Sequence, residues 1–213
     1  MRTLAIETAS EACSVALFGA DGTVLARDNR VIGRGHAEAL VPMIAALPDK
    51  GRAERIVVSL GPGSFTGVRI GLATARALGF AWGAEVLGYP TLALIAAMAQ
   101  RDHPGTAVTV CMNGGHGEWF VGDFGSDGLP QGDAASLTPA AALAHHGHLL
   151  VAGNRAAEWA AQRAAHPGGC EALNLLPDAR FALAIPPALL TRDLAAIYGR
   201  GPDATPLAAR ATP

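Results

Sequence analysis

The strongest constraint on the fold is a run of small residues that follows a short apolar segment. Residues 61–82 read GPGSFTGVRIGLATARALGFAW, and residues 56–60 before them have the pattern of a buried strand. The Gly-Pro-Gly start favours a sharp turn, and Ser64 or Thr66 can cap a helix by accepting a backbone N–H hydrogen bond. The sequence therefore predicts a strand, a tight turn and a long helix that ends before Gly83.

Within this predicted helix, glycine or alanine recurs at every fourth position. The positions are Gly63, Gly67, Gly71, Ala75 and Gly79. Each interior glycine costs about 0.5–1 kcal/mol of helix propensity relative to alanine, so the ridge indicates close approach by another element. The helix carries only two charged residues, which indicates that it is buried in its own domain or covered by a partner. Core packing, a partner surface and an anion site at the helix start are open alternatives.

The start of the helix lacks the signatures of phosphate loops and nucleophile turns. Neither Gly-Lys-Ser/Thr nor G-x-G-x-x-G is present. Gly63 lies directly before Ser64, and Thr66 stands where G-x-S-x-G requires glycine. We therefore interpret Ser64 as a helix cap and not as a nucleophile.

Composition limits the class of protein. The 213 residues are 50% hydrophobic, enough for one large or two small domains, and only 16% are charged, against a typical ~25%. A formal net charge of -2 without a basic stripe leaves no electrostatic footprint for nucleic acid. The three cysteines are widely separated, and the sequence shows neither a signal-peptide pattern nor an apolar run long enough to span a membrane. We therefore expect a cytoplasmic chain.

The predicted elements repeat their order in two halves. Residues 1–104 read as β-β-β-α-β-α-β-α, and residues 105–213 repeat this order before a Pro/Gly-rich tail. The predicted helices span residues 36–47, 64–82, 91–101, 138–145, 155–165 and 177–185. The predicted caps of three later helices are Thr91, Thr138 and Asn154. This pattern predicts an α/β fold of two mixed sheets with helices on their faces and a cleft between the halves.

Three segments of the chain carry a family resemblance. Residues 4–17 contain LAIETAS and CSVAL, residues 36–42 contain HAE and LVP, and residues 61–71 read GPGSFTGVRIG. Together they resemble the TsaB (YeaZ) family of tRNA threonylcarbamoyladenosine proteins. The resemblance is strong over residues 1–91, weakens in the second half, and returns at residues 198–204, which read YGRGPDA.

This resemblance implies a duplicated actin-like, sugar-kinase-like (ribonuclease H-like) fold. It also implies a non-catalytic scaffold that pairs with the enzyme TsaD and the ATPase TsaE to form threonylcarbamoyladenosine (t6A) in tRNA. ATP and a metal are expected on these partners and no cofactor on this chain. The chain alone is expected to form a homodimer, to meet tRNA only through the complex, and not to contact a membrane. The alternatives are a small ATP-dependent phosphotransferase of the same fold and a homodimeric module without an enzyme partner.

In the family, the first two helices of the N-terminal half contact TsaD. They correspond here to residues 36–47 and 64–82, so the resemblance implies that the small-residue ridge is a helix–helix contact surface. The residues expected in this interface are His36, Leu40, Met43, Gly63, Ser64, Phe65, Thr66, Gly67, Arg69, Ile70, Gly71, Thr74, Ala75, Arg76 and Leu78.

Two segments depart from the family pattern. Residues 47–55 are short, which leaves the extent of the interface open. Residues 113–120 read NGGHGEWF where the family usually has Asp-Ala-Arg-x-Gly-Glu-Val-Tyr, and only Gly117 and Glu118 match. No role of the missing Asp or Arg is carried over to this chain.

Glu7 and Thr8 are weak candidates for a cofactor site. By resemblance, Glu7 lies where actin-like kinases hold a phosphate-binding aspartate, so it could position a metal–phosphate. No matching acidic turn opens the second half, which favours the simpler interpretation of Glu7 as a strand-end carboxylate beside a solvated turn.

The histidines do not predict a metal site. His36 has Leu40 at i+4 and so lacks the paired helix histidine that TsaD-type enzymes use, which favours capping or an interface hydrogen bond. His145, His146 and His148 could ligate a surface metal, but a solvated helix end is the simpler interpretation.

Overall fold

A computed structural model describes residues 1–145, 147–163 and 170–199. In the first half the strands are β1 (Thr3–Glu7), β2 (Ala12–Phe18), β3 (Val24–Val31), β4 (Arg55–Ser59) and β5 (Glu85–Tyr89), and the helices are α1 (His36–Ala45), α2 (Phe65–Trp82) and α3 (Thr91–Asp102). In the second half they are β6 (Val108–Gly115), β7 (Glu118–Phe124), β8 (Ala135–Leu137), α4 (Pro139–Ala144), β9 (Leu150–Ala152), α5 (Ala156–Arg163) and β10 (Glu171–Leu173).

The two sheets have the same topology. Their strand orders are β3-β2-β1-β4-β5 and β10-β9-β6-β7-β8, so each strand of one sheet has a counterpart in the other. The first strand of each half pairs antiparallel with the following hairpin strand and parallel with the fourth strand. The predicted duplicated α/β fold with mixed sheets is therefore confirmed. None of the helices in the described part of the chain combines the length and apolar character needed to cross a bilayer.

Three local predictions are wrong for identifiable reasons. The last predicted helix is a 3₁₀ segment over Ala179–Ala184, and Asp178 caps it through a hydrogen bond from Arg180 N–H. Thr91 is the first residue of α3 and not its cap, because its hydroxyl is paired with that of Ser59 at 2.6 Å. The side chain of Asn154, the predicted cap of α5, instead connects the two halves, as described below.

The chain after β10 packs against the first half. The boundary predicted at residue 104 therefore separates the two sheets, but it does not separate the residues that pack with each of them. Ala179 N–H donates to Ser14 Oγ on β2 at 2.8 Å. Thr191 exchanges two backbone hydrogen bonds with Gly88 on β5, at 2.7 and 3.0 Å. The described part of the predicted tail thus covers elements formed by the N-terminal residues.

The small-residue ridge of α2 faces its own sheet. A Cβ added at Gly67 would lie 2.0 Å from the carbonyl oxygen of Thr8, and one at Gly71 would lie 2.5 Å from the Thr8 hydroxyl. At Gly79 it would lie 2.4 Å from a methyl group of Val86. The ridge therefore lets the helix backbone approach the end of β1, and the interpretation of the ridge as a partner surface is wrong.

Gly67→Ala tests this packing. Alanine has the higher helix propensity, but its Cβ would collide with a backbone carbonyl that cannot rotate away. We expect the free energy of unfolding to fall by at least about 2 kcal/mol, measured by urea denaturation. The control is Ala77→Leu at an exposed position of α2, which should change it by no more than about 0.5 kcal/mol. Equal stability of the two variants would contradict the packing described here.

Candidate functional site

A cleft of about 830 Å³ lies where residues of the two halves meet. The first half contributes the turn after β1 and the start of α2, and the second half contributes the end of β6. The residues that line it are Ala9, Ser10, Glu11, Gly33, Gly63, Ser64, Phe65, Arg69, Met112, Asn113, Gly114, Gly115, His116, Phe120, Asn154 and Tyr198. Glu11 is the only acid among them, so the cleft wall carries little negative charge.

The turn after β1 is hydrogen-bonded to a buried carboxyl group. Glu7 Oε1 accepts a hydrogen bond from Ala9 N–H at 2.6 Å, and Oε2 lies 3.3 Å from the Tyr89 hydroxyl that donates to it. Burial raises the pKa of Glu7 from 4.5 to about 7, although the hydrogen bonds from Ala9, Ser59 and Tyr89 oppose the change. Glu7 is fully buried and does not line the cleft, which supports its interpretation as a strand-end carboxylate.

The same turn positions the start of α2. Ser64 N–H donates to the carbonyl oxygen of Ala9 at 2.7 Å, and Thr8 Oγ1 donates to the carbonyl oxygen of Gly67 at 2.8 Å. Ser64 Oγ accepts from Gly67 N–H at 3.2 Å, which confirms Ser64 as the helix cap. Thr8 is therefore a structural contact of α2, and its hydroxyl is directed at the helix.

Asn154 bridges the halves across the cleft. Its Nδ2 donates to the carboxylate oxygens of Glu11 at 3.0 and 3.2 Å, and its Oδ1 accepts from Asn113 N–H at 2.8 Å. The segment at residues 113–120 that departs from the family pattern thus contributes part of the cleft wall. One amide side chain ties the only cleft acid to the second half.

The histidines have structural partners. His36 is buried, and its Nε2 lies 3.2 Å from the carbonyl oxygen of Ala12 on β2, so its ring already has a partner within the chain. His145 Nε2 pairs with Asp123, and His148 Nε2 pairs with Gln131, whereas His146 lies outside the described residues. Within the described ranges, no three His, Cys, Asp or Glu side chains are grouped to hold a metal ion.

The expected interface residues divide into three groups. Six are buried within their own half: His36, Leu40, Met43, Gly67, Gly71 and Ala75. Four are partly buried: Gly63, Ile70, Thr74 and Leu78. Five are exposed: Ser64, Phe65, Thr66, Arg69 and Arg76. The buried group thus has little surface to offer a partner in this structure, and the expectation stays a prediction for the fifteen residues.

Sequence reasoning missed the most exposed apolar side chains of these helices. Phe80 on α2 is 92% exposed and Val41 on α1 is 56% exposed, close to the 55% of Phe65. The helical period of α2 could have identified Phe80, because Thr66, Phe80 and their neighbours lie on the face opposite the small-residue ridge. We call the exposed faces of α1 and α2, with these residues, the α1–α2 surface.

A segment near the C-terminus was also missed. Residues 191–199, here called the strap, run along α2. Arg76 donates to the carbonyl oxygen of Leu194 at 2.9 Å, and Arg69 donates to the Tyr198 hydroxyl at 3.2 and 3.1 Å. Both arginines of α2 are therefore held by residues more than one hundred positions away in sequence, which no local pattern reveals.

Comparisons with known proteins agree on one family. The family model of TsaD, described as tRNA N6-adenosine threonylcarbamoyltransferase, matches residues 30–175. The tRNA threonylcarbamoyladenosine biosynthesis protein TsaB of Escherichia coli (strain K12) is 40% identical over 134 residues, which are 60% of this chain and 56% of that protein. The match thus spans little more than half the length of this curated relative.

Solved structures extend the likeness over most of the chain. The structure described as YeaZ from Pseudomonas aeruginosa has a TM-score of 0.70 at 31% identity, over 86% of this chain and 89% of that chain. A second Pseudomonas aeruginosa structure, described as similar to the peptidase YEAZ, has a TM-score of 0.69 at 32% identity, over the same shares of the two chains.

Glu7→Gln tests the buried carboxyl group. Because the pKa of Glu7 is 4.5 in an ordinary setting and about 7 in the fold, the folded state binds the proton more tightly. The free energy of unfolding should therefore fall as pH rises from about 4.5 to about 7 and stay low above that, by roughly 3 kcal/mol in total. Glutamine cannot ionise and should remove this component.

Urea denaturation of wild type and variant at pH 5 and pH 8 measures the effect. The stability of the variant relative to wild type should rise by roughly 2.5 kcal/mol between the two pH values, because part of the change lies below pH 5. Glu38→Gln, on an exposed residue of α1, is the matched control for the replacement of a carboxyl group by an amide. A stability difference between wild type and Glu7→Gln that is independent of pH would contradict the assignment.

Proposed function

Because the chain belongs to the family of TsaD and TsaB (YeaZ) proteins, we propose that it is a partner subunit of a TsaD-type enzyme in the formation of t6A in tRNA. The observation that carries this proposal is the α1–α2 surface. It presents Phe80, Phe65 and Val41 to solvent on two helices that pack against each other. Exposed aromatic side chains of this kind are typical anchors of protein interfaces.

Charge also favours a protein partner for this surface. α2 carries two arginines and no acid, and Glu38 lies in the first turn of α1. Few charges therefore need to lose water when the surface is covered, which lowers the cost of burial. In the absence of the enzyme, a second copy of the chain is the expected occupant, which would give a homodimer.

A scaffold role is supported by the state of the cleft. Glu11 is hydrogen-bonded to Asn154, and Glu7 is sealed beneath the turn. Neither carboxylate is placed to hold a metal–phosphate in the cleft. We therefore assign transfer of the threonylcarbamoyl group, and the ATP and metal that the reaction uses, to a TsaD-type enzyme and a TsaE-type ATPase. In this proposal tRNA meets the chain only through the cytoplasmic complex.

The alternative is an ATP-dependent phosphotransferase of the same fold. It predicts micromolar binding of ATP by the isolated chain, measured by calorimetry. The proposed partner role predicts instead that depletion of the protein in its source organism lowers t6A in tRNA, measured by mass spectrometry of tRNA nucleosides. Unchanged t6A after depletion would contradict the partner role.

Phe80→Ser tests the interface itself. The loss of an exposed aromatic anchor should weaken binding to the purified TsaD-type enzyme of the same organism by about ten-fold or more, measured by calorimetry. The fold should be unaffected, because the Phe80 side chain is almost fully solvated.

Leu149→Ser is the matched control for this variant. Leu149 is also an exposed apolar residue, but it precedes β9 in the second half and lies outside the α1–α2 surface. It should bind the enzyme like wild type. Equal affinity of the Phe80→Ser and Leu149→Ser variants would place the interface elsewhere.

A further inference from the structure

The strap is anchored at both ends on the first half. At its start, Thr191 pairs with Gly88 on β5. Near its end, Ile197 N–H donates to the carbonyl oxygen of Leu60 at 2.7 Å, directly after β4. Leu194 and Ala196 pack between these anchors against the core under α2. The strap is thus a fixed third element beside α2, and its path is set by the sheet.

The strap and α2 share an exposed stack of π systems. The guanidinium carbon of Arg69 lies 3.5 Å from the ring centre of Phe65 and 5.6 Å from that of Tyr198. The two ring centres are 5.4 Å apart. Tyr198 is 43% exposed, so the stack presents aromatic area to solvent and fixes the orientation of Arg69. A rigid stack of this kind loses little conformational freedom when a partner covers it.

The strap contacts the exposed face of α2. Arg69 and Arg76 lie seven residues apart, and Phe80 follows Arg76 by four residues, so all three share one face of the helix. Arg69 donates to the Tyr198 hydroxyl, and Arg76 donates to the carbonyl oxygen of Leu194. A partner that covers this face of α2 therefore also meets the strap.

We propose that the strap is part of the surface that binds the TsaD-type enzyme, with Tyr198 as a contact residue and Arg69 held in place by it. This inference rests on the proposed function. The partner face that fits is apolar with carboxylates, because the stack combines two aromatic rings with a guanidinium and the neighbouring Arg76 adds a second positive charge. The surface then consists of α1, α2 and the strap.

Tyr198→Ala and Tyr198→Phe, compared with wild type, test the proposal. Tyr198→Ala removes the ring and should weaken binding to the purified TsaD-type enzyme by about ten-fold, measured by calorimetry on the full chain. Tyr198→Phe keeps the ring and should stay within about three-fold of wild type. Leu149→Ala, an exposed apolar truncation on the second half, should bind like wild type.

The outcomes separate this inference from the function on which it rests. If wild type does not bind the enzyme, the partner role itself is overturned. If wild type binds and Tyr198→Ala binds equally well, only the role of the strap is overturned. A benzophenone amino acid at position 198 gives a second measurement that tolerates partial loss of stability. It should crosslink to the enzyme on illumination, the same probe at position 149 should not, and the reverse pattern would overturn the strap contact.

Discussion

The approach of α2 to the end of β1 is the contact on which the other features depend. The backbone of Gly67 lies against the carbonyl group of Thr8, and Ser64 N–H is bonded to Ala9. The three hydrogen bonds that join the turn to Glu7 and α2 leave no room for a side chain between them. This contact sets the position of the helix on the sheet, and with it both the cleft wall at the start of α2 and the exposed face along its length. A change here would therefore move the cleft and the α1–α2 surface together.

Local patterns predicted most of the fold. The apolar run at β4 and the capping pattern at Ser64 were sufficient, because buried strands and helix caps are decided by residues within a few positions. The small-residue ridge predicted close packing, but the sequence could not show which surface it meets. Close approach to a sheet and close approach to a partner helix both require small residues. The structure resolves this through contacts between Gly67 and Thr8, 59 residues apart.

The candidate site was less accessible to sequence reasoning for the same reason. The sequence predicts Asn154 as a cap, since asparagine before a helix usually has that role, yet its amide reaches Glu11, which is 143 residues away in sequence. The strap has no periodic pattern, and it lies within a longer Pro/Gly-rich segment whose composition is typical of a surface tail. Phe80 could have been found by extending the helical wheel, because it lies opposite the ridge. The contacts that the sequence did not reveal are tertiary contacts between distant residues, whereas most of the secondary structure was predicted.

The return of the strap to the first half has a consequence for synthesis of the chain. Leu194, which receives the hydrogen bond of Arg76, is made 118 residues after it. At about 5–20 residues per second, roughly 6–24 s separate the two on the ribosome. During that interval the residues that cover one side of α2 and the free edge of β5 in the folded chain have not yet been made. The surface of the first half can therefore be completed only after almost all of the described residues have been synthesised.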